Sequence, residues 1–295
     1  MAFDSIADGM KTRLDWDRYH QLSEKILENQ EIQDFISENE FQPLQVNKSL
    51  SKFNEYVTEK AKFVSGETTK IPGYEPILFN NEGFADVTYR ATADTVAKAE
   101  EVSKKRRVRL IGMPKDMIDI SWNDVLLDDA NRMKAYQAVA AFISDYPNQG
   151  GVYLYGQFGV GKSFMMAAMA NELAEKGIST TLIHYPSFIS DNSGFDDLKA
   201  QANEVKKTEV LVLDDIGAES NNDWIRDNIL QIILQYRMQE NLPTFFTSNL
   251  TMLELEQRLA MTKKGDETWS AKRVMERVRK LSTEYALAGE NRRNR

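Results

Sequence analysis

The sequence predicts an α/β fold in which a parallel sheet is covered by helices on both faces, preceded by a small, mainly helical N-terminal domain with a β-hairpin. Beyond residue 110, short apolar runs alternate with amphipathic segments, and strands separated by helices form parallel sheets. Before residue 65, apolar residues recur at the spacing of helices. Between these two regions, apolar residues alternate on either side of a turn signal.

The N-terminal domain is expected over residues 1–94. Two or three short amphipathic helices are predicted within residues 3–40, and the helical pattern continues over residues 41–64. The hairpin is predicted within residues 71–92, because the run Asn-Asn-Glu-Gly at residues 80–83 is a turn signal between two alternating segments.

A polar linker over residues 95–111 is expected before the α/β domain, residues 112–295. It contains the basic run Lys104–Arg107, which the sequence leaves open as a helix end or as a nucleic-acid or targeting segment. The predicted strands of the second domain are Val152–Tyr155, Thr180–Tyr185, Glu209–Leu213, Thr244–Thr247 and Thr283–Leu287. Its predicted helices are Asp128–Tyr146, Phe164–Glu175, Asp223–Glu240, Leu253–Leu259 and Ser270–Leu281.

Composition excludes several classes of protein. Apolar residues make up 42% and charged residues 28%, a globular balance. No stretch approaches the roughly 18 apolar residues of a membrane helix, and no secretory signal is visible, so we expect a cytoplasmic protein without a membrane partner. The absence of cysteine excludes disulfides, cysteine-ligated zinc and thiol catalysis. His20 and His184 lack metal-ligand spacing and are interpreted as ordinary surface or core residues.

Charge is unevenly distributed along the chain. The net charge of −8 argues against indiscriminate coating of nucleic acid. Residues 1–100 contain 11 Lys and Arg against 18 Asp and Glu, whereas residues 258–295 contain 11 against 5. This asymmetry indicates either two surfaces with different partners or two solvated faces.

The run Gly156–Ser163 fits the phosphate-binding pattern G-x-x-x-x-G-K-[ST] in full. Glycines let backbone N–H groups wrap a phosphate chain where a Cβ would intrude, and the following helix points its free N–H groups at the phosphates. Lys162 is expected to reach the β- and γ-phosphates of ATP, and Ser163 to bind Mg²⁺. The whole run is therefore predicted to bind ATP: Gly156, Gln157, Phe158, Gly159, Val160, Gly161, Lys162 and Ser163.

Two carboxylates follow an apolar strand about fifty residues later. Val210–Leu213 leads directly into Asp214 and Asp215, and adjacent acids at the end of a buried strand are costly without a cation. Asp214 is expected to hold Mg²⁺ and Asp215 to orient the attacking water. The alternative is a solvated turn.

A polar residue also follows the strand Thr244–Thr247. This position resembles the one at which AAA+ ATPases carry a sensor residue, and the resemblance implies that Asn249 contacts the γ-phosphate or the attacking water. Ser248, Asn249 or Thr251 could also be the N-cap of the next helix, and both roles can hold together.

Five segments resemble the bacterial replicative helicase loaders of the AAA+ class, the DnaC/DnaI group. They are GQFGVGKSFMMAAMANELAEKG (Gly156–Gly177), VLVLDDIGAE (Val210–Glu219), WIRDNIL (Trp224–Leu230), LPTFFTSNL (Leu242–Leu250) and RVMERVRKLS (Arg273–Ser282). The Asp-Asp pair, in place of the usual Asp-Glu, is typical of this group. The segment Gly73–Tyr89 is similar to the family's N-terminal domain, so the resemblance covers nearly the whole chain.

The resemblance implies an AAA+ ATPase that delivers the hexameric replicative helicase onto single-stranded DNA during replication initiation or restart, as a component of the primosome. The N-terminal domain would bind the helicase. The AAA+ domain would self-associate and bind single-stranded DNA. Hydrolysis would be slow and stimulated by assembly or DNA.

The resemblance also implies arginine roles. Arg277 is expected to act on the γ-phosphate of a neighbouring subunit, with Arg273 as a companion; the alternative is an exposed helix face that pairs with Glu276. A sensor role is assigned to Arg292 or Arg293, although terminal arginines are also often simply solvated.

Some members of the family carry a cysteine-rich zinc site in the N-terminal domain, which this chain cannot form. Zinc is therefore not expected, and a small apolar core must hold residues 41–92 together. The candidates for that core are Phe53, Tyr56, Phe63, Tyr74, Ile77, Leu78, Phe84 and Tyr89.

Two alternative functions stay open at this point. One is a transposition-helper AAA+ ATPase, which would lack a segment like Gly73–Tyr89. The other is an ATP-switched clamp with little turnover, which Asp215, shorter than a glutamate, would allow.

Overall fold

The computed structural model describes residues 13–127, 129–191, 194–220, 222–262 and 265–291. The chain divides into two compact units, Met1–Glu100 and Glu101–Arg295, so the division lies within a helix, Ala93–Arg107. Residues 95–111, where the sequence predicts a linker, comprise most of this helix and a short strand. The basic run Lys104–Arg107 is the last turn of the helix, where cations complement the negative end of the helix dipole.

The first unit contains three helices and a hairpin, as the sequence predicts. The elements are α1 (Arg13–Leu27), α2 (Gln30–Glu38), α3 (Pro43–Ser65), β1 (Tyr74–Asn81) and β2 (Phe84–Ala91), followed by α4 (Ala93–Arg107). Helix α3 begins with a capping box between Gln42 and Gln45 and ends at Gly66, whose φ of 75° most residues avoid.

The hairpin packs against α3 through its turn and its second strand. Its two-residue turn, Glu82 and Gly83, has positive φ at both positions, the geometry that matches the twist of paired strands. The Gln45 side-chain amide donates to the Gly83 carbonyl at 2.8 Å. The Ser49 hydroxyl accepts a hydrogen bond from the Ala85 N–H at 2.9 Å.

The core of this unit differs in part from the predicted one. The buried apolar cluster of this unit consists of Ile26, Ile32, Phe41, Phe53, Tyr56 and Ala85. Phe53 and Tyr56 are therefore confirmed, and Leu78 packs against the cluster. Phe84 is wrong as a core residue because it is 40% exposed. Side chains alternate along a strand, so Ala85 faces the core while the Phe84 ring lies 5.6 Å from the Lys48 ammonium.

The second unit alternates strands and helices. Its elements are β3 (Val108–Ile111), α5 (Ala130–Ser144), β4 (Gly151–Tyr155), α6 (Lys162–Glu175), β5 (Thr180–His184), α7 (Tyr185–Ser190), α8 (Phe195–Val205), β6 (Val210–Asp214), α9, β7 (Thr244–Ser248), α10 (Met252–Ala260), β8 (Met261–Thr262), β9 (Gly265–Asp266), α11 (Thr268–Leu281) and β10 (Ser282–Ala286). Helix α9 runs from Asp223–Ile225 through a π-helical turn, Arg226–Leu230, into Gln231–Gln239.

Six strands form one parallel sheet in the order β10-β4-β7-β6-β5-β3. Two apolar clusters cover it: Val152 and Leu154 belong to one, whereas Tyr153, which lies between them in β4, belongs to the other. Because successive side chains of a strand point to opposite faces, the sheet has a core on each face. The predicted fold class is confirmed.

Some elements had no clear signal in the sequence. Strand β3, helices α7 and α8, and the small β8–β9 hairpin were not predicted. Strand β3, helix α7 and the β8–β9 hairpin are too short to show a period, whereas α8 buries Leu198, Ala202 and Val205 at helical spacing. Among the helices that the structure describes, none is long and apolar enough to cross a lipid bilayer.

Candidate functional site

The predicted site residues meet at one edge of the sheet because four parallel strands end there. In the register of the sheet, Tyr155 of β4 lies beside Ser248 of β7, and His184 of β5 lies beside Asp214 of β6. The phosphate-binding loop therefore leaves β4 next to the residues that follow β6 and β7. This is the edge where ligands bind in open parallel sheets.

Lys162 lies at the centre of the site. Its ammonium donates to the carbonyls of Gly156 at 2.8 Å and Gln157 at 3.0 Å, and to Asn249 Oδ1 at 2.9 Å. The residue is only 7% exposed and is the first residue of α6. The cation is thus held inside the loop, where the free N–H groups of the helix also point.

The two carboxylates have different surroundings. Asp214 is 3% exposed, and its carboxylate accepts hydrogen bonds from Thr247 Oγ1 at 2.6 Å and from the Ser163 hydroxyl. Burial raises the pKa of Asp214 above its ordinary value. Asp215 is more exposed and has a φ of 57°, which turns its side chain away from the direction of the strand. The solvated-turn alternative is therefore wrong for Asp214.

Asn249 connects the cation to the second carboxylate. Its Nδ2 donates to Asp215 Oδ1 at 2.8 Å, while its Oδ1 accepts from Lys162. The N-cap of α10 is Thr251, whose hydroxyl accepts from the Glu254 N–H at 3.2 Å. Asn249 is therefore free of the capping role that its position in the sequence allowed, and its side chain belongs to the site.

His184, interpreted from the sequence as an ordinary residue, lies in the site instead. Its Nε2 is 4.0 Å from Asp215 Oδ2, and its Nδ1 lies 2.8 Å from Ser187 Oγ at the start of α7. Only its place at the end of the strand beside β6 could have indicated this. That neighbourhood depends on strand order, which the sequence does not state.

Arg132 is a second residue that the sequence analysis missed. It lies in α5, whose N-cap Asp129 accepts hydrogen bonds from the N–H groups of Asn131 and Arg132. The side chain is 2% exposed, and its guanidinium donates to the Val160 carbonyl of the phosphate-binding loop. A buried arginine so placed holds the loop in shape and adds positive potential beside it.

These residues line a cavity of about 650 Å³, within the usual range for small-ligand sites. Of the predicted residues, the cavity is lined by Phe158, Gly159, Gly161, Lys162, Ser163, Asp214, Asp215 and Asn249. Gly156, Gln157 and Val160 belong to the loop but do not line the cavity. An apolar wall that was not predicted comes from the segment before α5 and includes Met113, Pro114, Met117 and Leu126.

The oxygen atoms of the site suit Mg²⁺. The Asp214 carboxylate and the Ser163 hydroxyl are hydrogen-bonded to each other, and Mg²⁺ prefers oxygen ligands from one or two side chains together with substrate phosphates. Among the described residues, no group of three or more His, Cys, Asp or Glu could hold a metal by itself.

Of the predicted arginines, Arg273 and Arg277 lie among the described residues, and neither lines the cavity of its own chain. Arg277 Nε donates to Gln235 Oε1 of α9 at 2.7 Å, and its guanidinium also donates to the Arg273 carbonyl. Partial burial lowers the pKa of Arg277, and the Arg273 side chain is exposed. Arg292 and Arg293 lie outside the described residues.

Comparison with known proteins identifies the family. Residues 4–89 match the family described as primosomal protein DnaI N-terminus, and residues 88–294 match the family described as IstB-like ATP binding protein. The chain is 36% identical to the replicative helicase loader DnaI of Bacillus subtilis strain 168 over 291 residues, 94% of each protein. The chain belongs to the DnaI family of replicative helicase loaders.

Two further comparisons agree with the DnaI family. A crystal structure of DnaI covers 64% of this chain and 99% of its own, with a TM-score of 0.58 and 38% identity. The replicative helicase loader DnaC of Escherichia coli K12 is 24% identical over 54% of this chain and 62% of that protein. The match at residues 4–89 lies in the region that separates a DnaI-type loader from the transposition-helper alternative.

Proposed function

We propose that the chain binds ATP with Mg²⁺, hydrolyses it slowly, and uses this cycle to deliver a hexameric replicative helicase onto single-stranded DNA. The observation that carries the proposal is the hydrogen-bonded connection from Lys162 through Asn249 to Asp215, beside the Asp214–Ser163 pair. It joins an ammonium, an amide and a carboxylate at one cavity, which supports their proposed roles in binding phosphate, sensing it and accepting a proton. The proposal that a helicase and single-stranded DNA are the partners rests on membership of the DnaI family of replicative helicase loaders.

In this proposal each residue has a distinct part. Lys162 exchanges its carbonyl partners for the β- and γ-phosphates, and the backbone of Gly156–Ser163 wraps them. Mg²⁺, when bound by Asp214 and Ser163, would neutralise charge on the phosphates. Asp215 accepts a proton from the attacking water, and Asn249 holds the carboxylate in place while sensing the γ-phosphate.

Arg277 completes the site of a neighbouring subunit. It lies on α11 and does not line the cavity of its own chain, as a residue acting across a subunit boundary would. Self-association would bring it to the γ-phosphate of the next subunit, with Arg273 as companion, so hydrolysis would depend on assembly and on DNA. Arg292 is proposed as a sensor at the end of the chain.

The N-terminal domain, residues 1–94, is proposed as the helicase-binding part. It is joined by residues 95–111 to the AAA+ domain, residues 112–295, which binds single-stranded DNA. The family match at residues 4–89 and the acidic charge of the first 100 residues support a separate partner for this domain. Zinc has no part in the proposal because cysteine is absent. Action on chromosomal DNA would place the protein in the cytoplasm, at the nucleoid and replication fork.

The direct test mixes the purified chain with a replicative helicase and measures co-elution with and without ATP. We expect a stable complex. Phe53→Ala should abolish the complex. Removing this fully buried ring lowers the free energy of unfolding by about 3–5 kcal/mol, which is enough to unfold a domain with a small core. ATP binding by this variant should persist, because the cavity belongs to the other unit.

The matched control for Phe53→Ala is Phe63→Ala, a less buried aromatic on the same helix. It should retain the complex. If the unmodified chain bound no helicase under any nucleotide condition, the loader proposal would be wrong even if ATP were hydrolysed.

A clamp with little turnover stays a second candidate because of the second carboxylate. Asp215 is one methylene shorter than a glutamate, and its Oδ1 is already bound by Asn249. ATP would then act only as a ligand that switches the protein between states. The two candidates differ in what they require of Asp215, because only the ATPase cycle needs its carboxylate as a base.

A further inference from the structure

The phosphate-binding loop is packed from outside by the last described residues of the chain. Strand β10 pairs with β4, so its end lies beside the start of the loop. Beyond β10 the Leu287 N–H donates to the Tyr155 carbonyl at 2.7 Å, and the Leu287 side chain is fully buried in the core. The segment 287–291 thus continues along the loop.

Two glycines of the loop make room for this segment. A Cβ on Gly156 would lie closer than 3.0 Å to the Leu287 carbonyl oxygen, a separation that real Cβ atoms do not show. A Cβ on Gly159 would meet the side-chain amide of Asn291 in the same way. Both glycines therefore serve the approach of the C-terminal segment as well as the approach of phosphates.

Asn291 packs against the loop but is not among the residues that line the cavity. Gly159 lines the cavity, whereas Asn291 and Leu287 do not. The Val160 carbonyl is bound by Arg132, so residues from distant segments contact the loop at three positions, Gly156, Gly159 and Val160. Such outside packing limits the conformations of a glycine-rich loop, which otherwise has high backbone freedom.

We propose that Asn291 is a positioning residue for nucleotide binding, which holds Gly159 in the conformation that receives the phosphates. The inference rests on the ATP binding of the proposed function and adds the C-terminal segment to that site. Asn291 touches no reacting group, so its loss should weaken affinity for ATP and leave the chemical step unchanged.

The first test is Asn291→Ala in the full chain. We expect the Kd for ATP and the KM to rise about two- to tenfold, the effect of one lost contact, with kcat unchanged. Glu290→Ala is the matched control, since its exposed side chain is the preceding one and should leave both constants as they are. The thermal unfolding midpoint without nucleotide should be the same in all three proteins.

The second test uses the close contact itself. Gly159→Ala should weaken ATP binding for two reasons, its φ of 81° and the collision with Asn291. Adding Asn291→Ala removes the collision, so the double variant should bind ATP more tightly than Gly159→Ala alone. Asn291→Ala should therefore weaken ATP binding in the unmodified chain and strengthen it in the Gly159→Ala variant.

The outcomes separate this inference from the proposed function. If the unmodified chain failed to bind ATP, both the proposed function and the positioning role of Asn291 would be wrong. If it bound ATP but Asn291→Ala bound equally tightly, or if the double variant gained nothing over Gly159→Ala, only the positioning role of Asn291 would be overturned. A fall in kcat at constant KM would also overturn it, because that would place Asn291 in the chemical step.

Discussion

At the scale of single residues, Asp214 and Asp215 show how one sequence motif contains two different groups. Asp214 is buried between hydroxyls, and burial raises its pKa, which suits a carboxylate that a cation will neutralise. Asp215 turns out of the strand toward Asn249 and His184. Adjacent identical residues thus differ in burial and direction because the backbone turns between them, which suits the binding role proposed for Asp214 and the catalytic role proposed for Asp215.

The pair Lys162→Ala and Asp215→Asn separates binding from turnover. Lys162→Ala should raise the Kd for ATP at least about 100-fold, because the only lysine of the loop supplies the charge for the phosphates. Asp215→Asn should bind ATP normally and lose about 10²- to 10⁴-fold in kcat, the range for a lost general base. Isothermal titration and a steady-state ATPase assay measure the two effects.

Asp196→Asn, at an exposed position on α8, is the control and should behave like the unmodified chain. Helicase delivery by Asp215→Asn then distinguishes the two candidate functions. Normal delivery without hydrolysis would favour the ATP-switched clamp. Loss of delivery along with hydrolysis would favour the ATPase cycle.

The position of His184 in the site could not be predicted from the sequence. In the sequence it follows Thr180–Ile183 and precedes Tyr185 and Pro186 without any motif. Its contact with the site arises because β5 pairs with β6 in parallel, which aligns the last residue of each strand. The role of this single histidine therefore could not be predicted until the strand order was known.

At the scale of elements, Arg237 joins α9 to the beginnings of two strands. Its guanidinium donates to the carbonyls of Thr208 at 2.7 Å and Pro243 at 2.6 Å, and to Thr244 Oγ1 at 2.7 Å. The side chain is fully buried, and burial lowers the pKa of Arg237 to about 9. The charged form therefore costs stability at neutral pH, and that cost is relieved as the pH rises above about 9.

Arg237→Met should nevertheless destabilise the second unit. The methionine fills much of the volume but leaves buried carbonyls without donors, and each unpaired group costs about 1–3 kcal/mol. We expect a net loss of about 3 kcal/mol in the free energy of unfolding, measured by urea denaturation. The control is Lys207→Met, an exposed cation next to Lys206, whose carbonyl accepts a hydrogen bond from Arg237; equal effects would mean that the hydrogen bonds of Arg237 contribute nothing.

In the hairpin of the first unit, neighbouring residues determine the turn, whereas packing against α3 determines which face is buried. Its turn was predicted correctly, because Glu82 and Gly83 with their neighbours suit a two-residue turn whatever surrounds it. The face of the hairpin that is buried was not predicted correctly. Phe84 and Ala85 are neighbours on opposite faces, and the face that α3 covers was not decided by hydrophobicity, since the smaller residue is the buried one.

At the scale of the whole molecule, the question is whether one chain contains a complete site. Arg277 is held by Gln235 on α9 and does not line the described cavity. If it acts on a neighbour, Arg277→Ala and Lys162→Ala should each lose ATPase activity. Arg277→Ala alone should cost about 10³-fold or more, as for other arginines supplied in trans.

Mixing these two inactive proteins should restore activity. In an equimolar mixture, about a quarter of head-to-tail interfaces would pair an intact loop with an intact arginine, so about a quarter of the DNA-stimulated rate should return. No recovery on mixing would mean that Arg277 acts within its own chain or not at all. Arg273→Ala, whose side chain is exposed, should retain a larger share of the rate.

The sequence by itself determined the parallel sheet, the phosphate-binding loop and the carboxylates after β6. These are recognisable because wrapping phosphates and ending a buried strand require particular residues at consecutive positions. Only the tertiary structure decided that Arg132 and His184 line the cavity and that Asn291 packs against the loop. Each comes from a distant segment, and its place depends on strand order and packing, which no local pattern in the chain encodes.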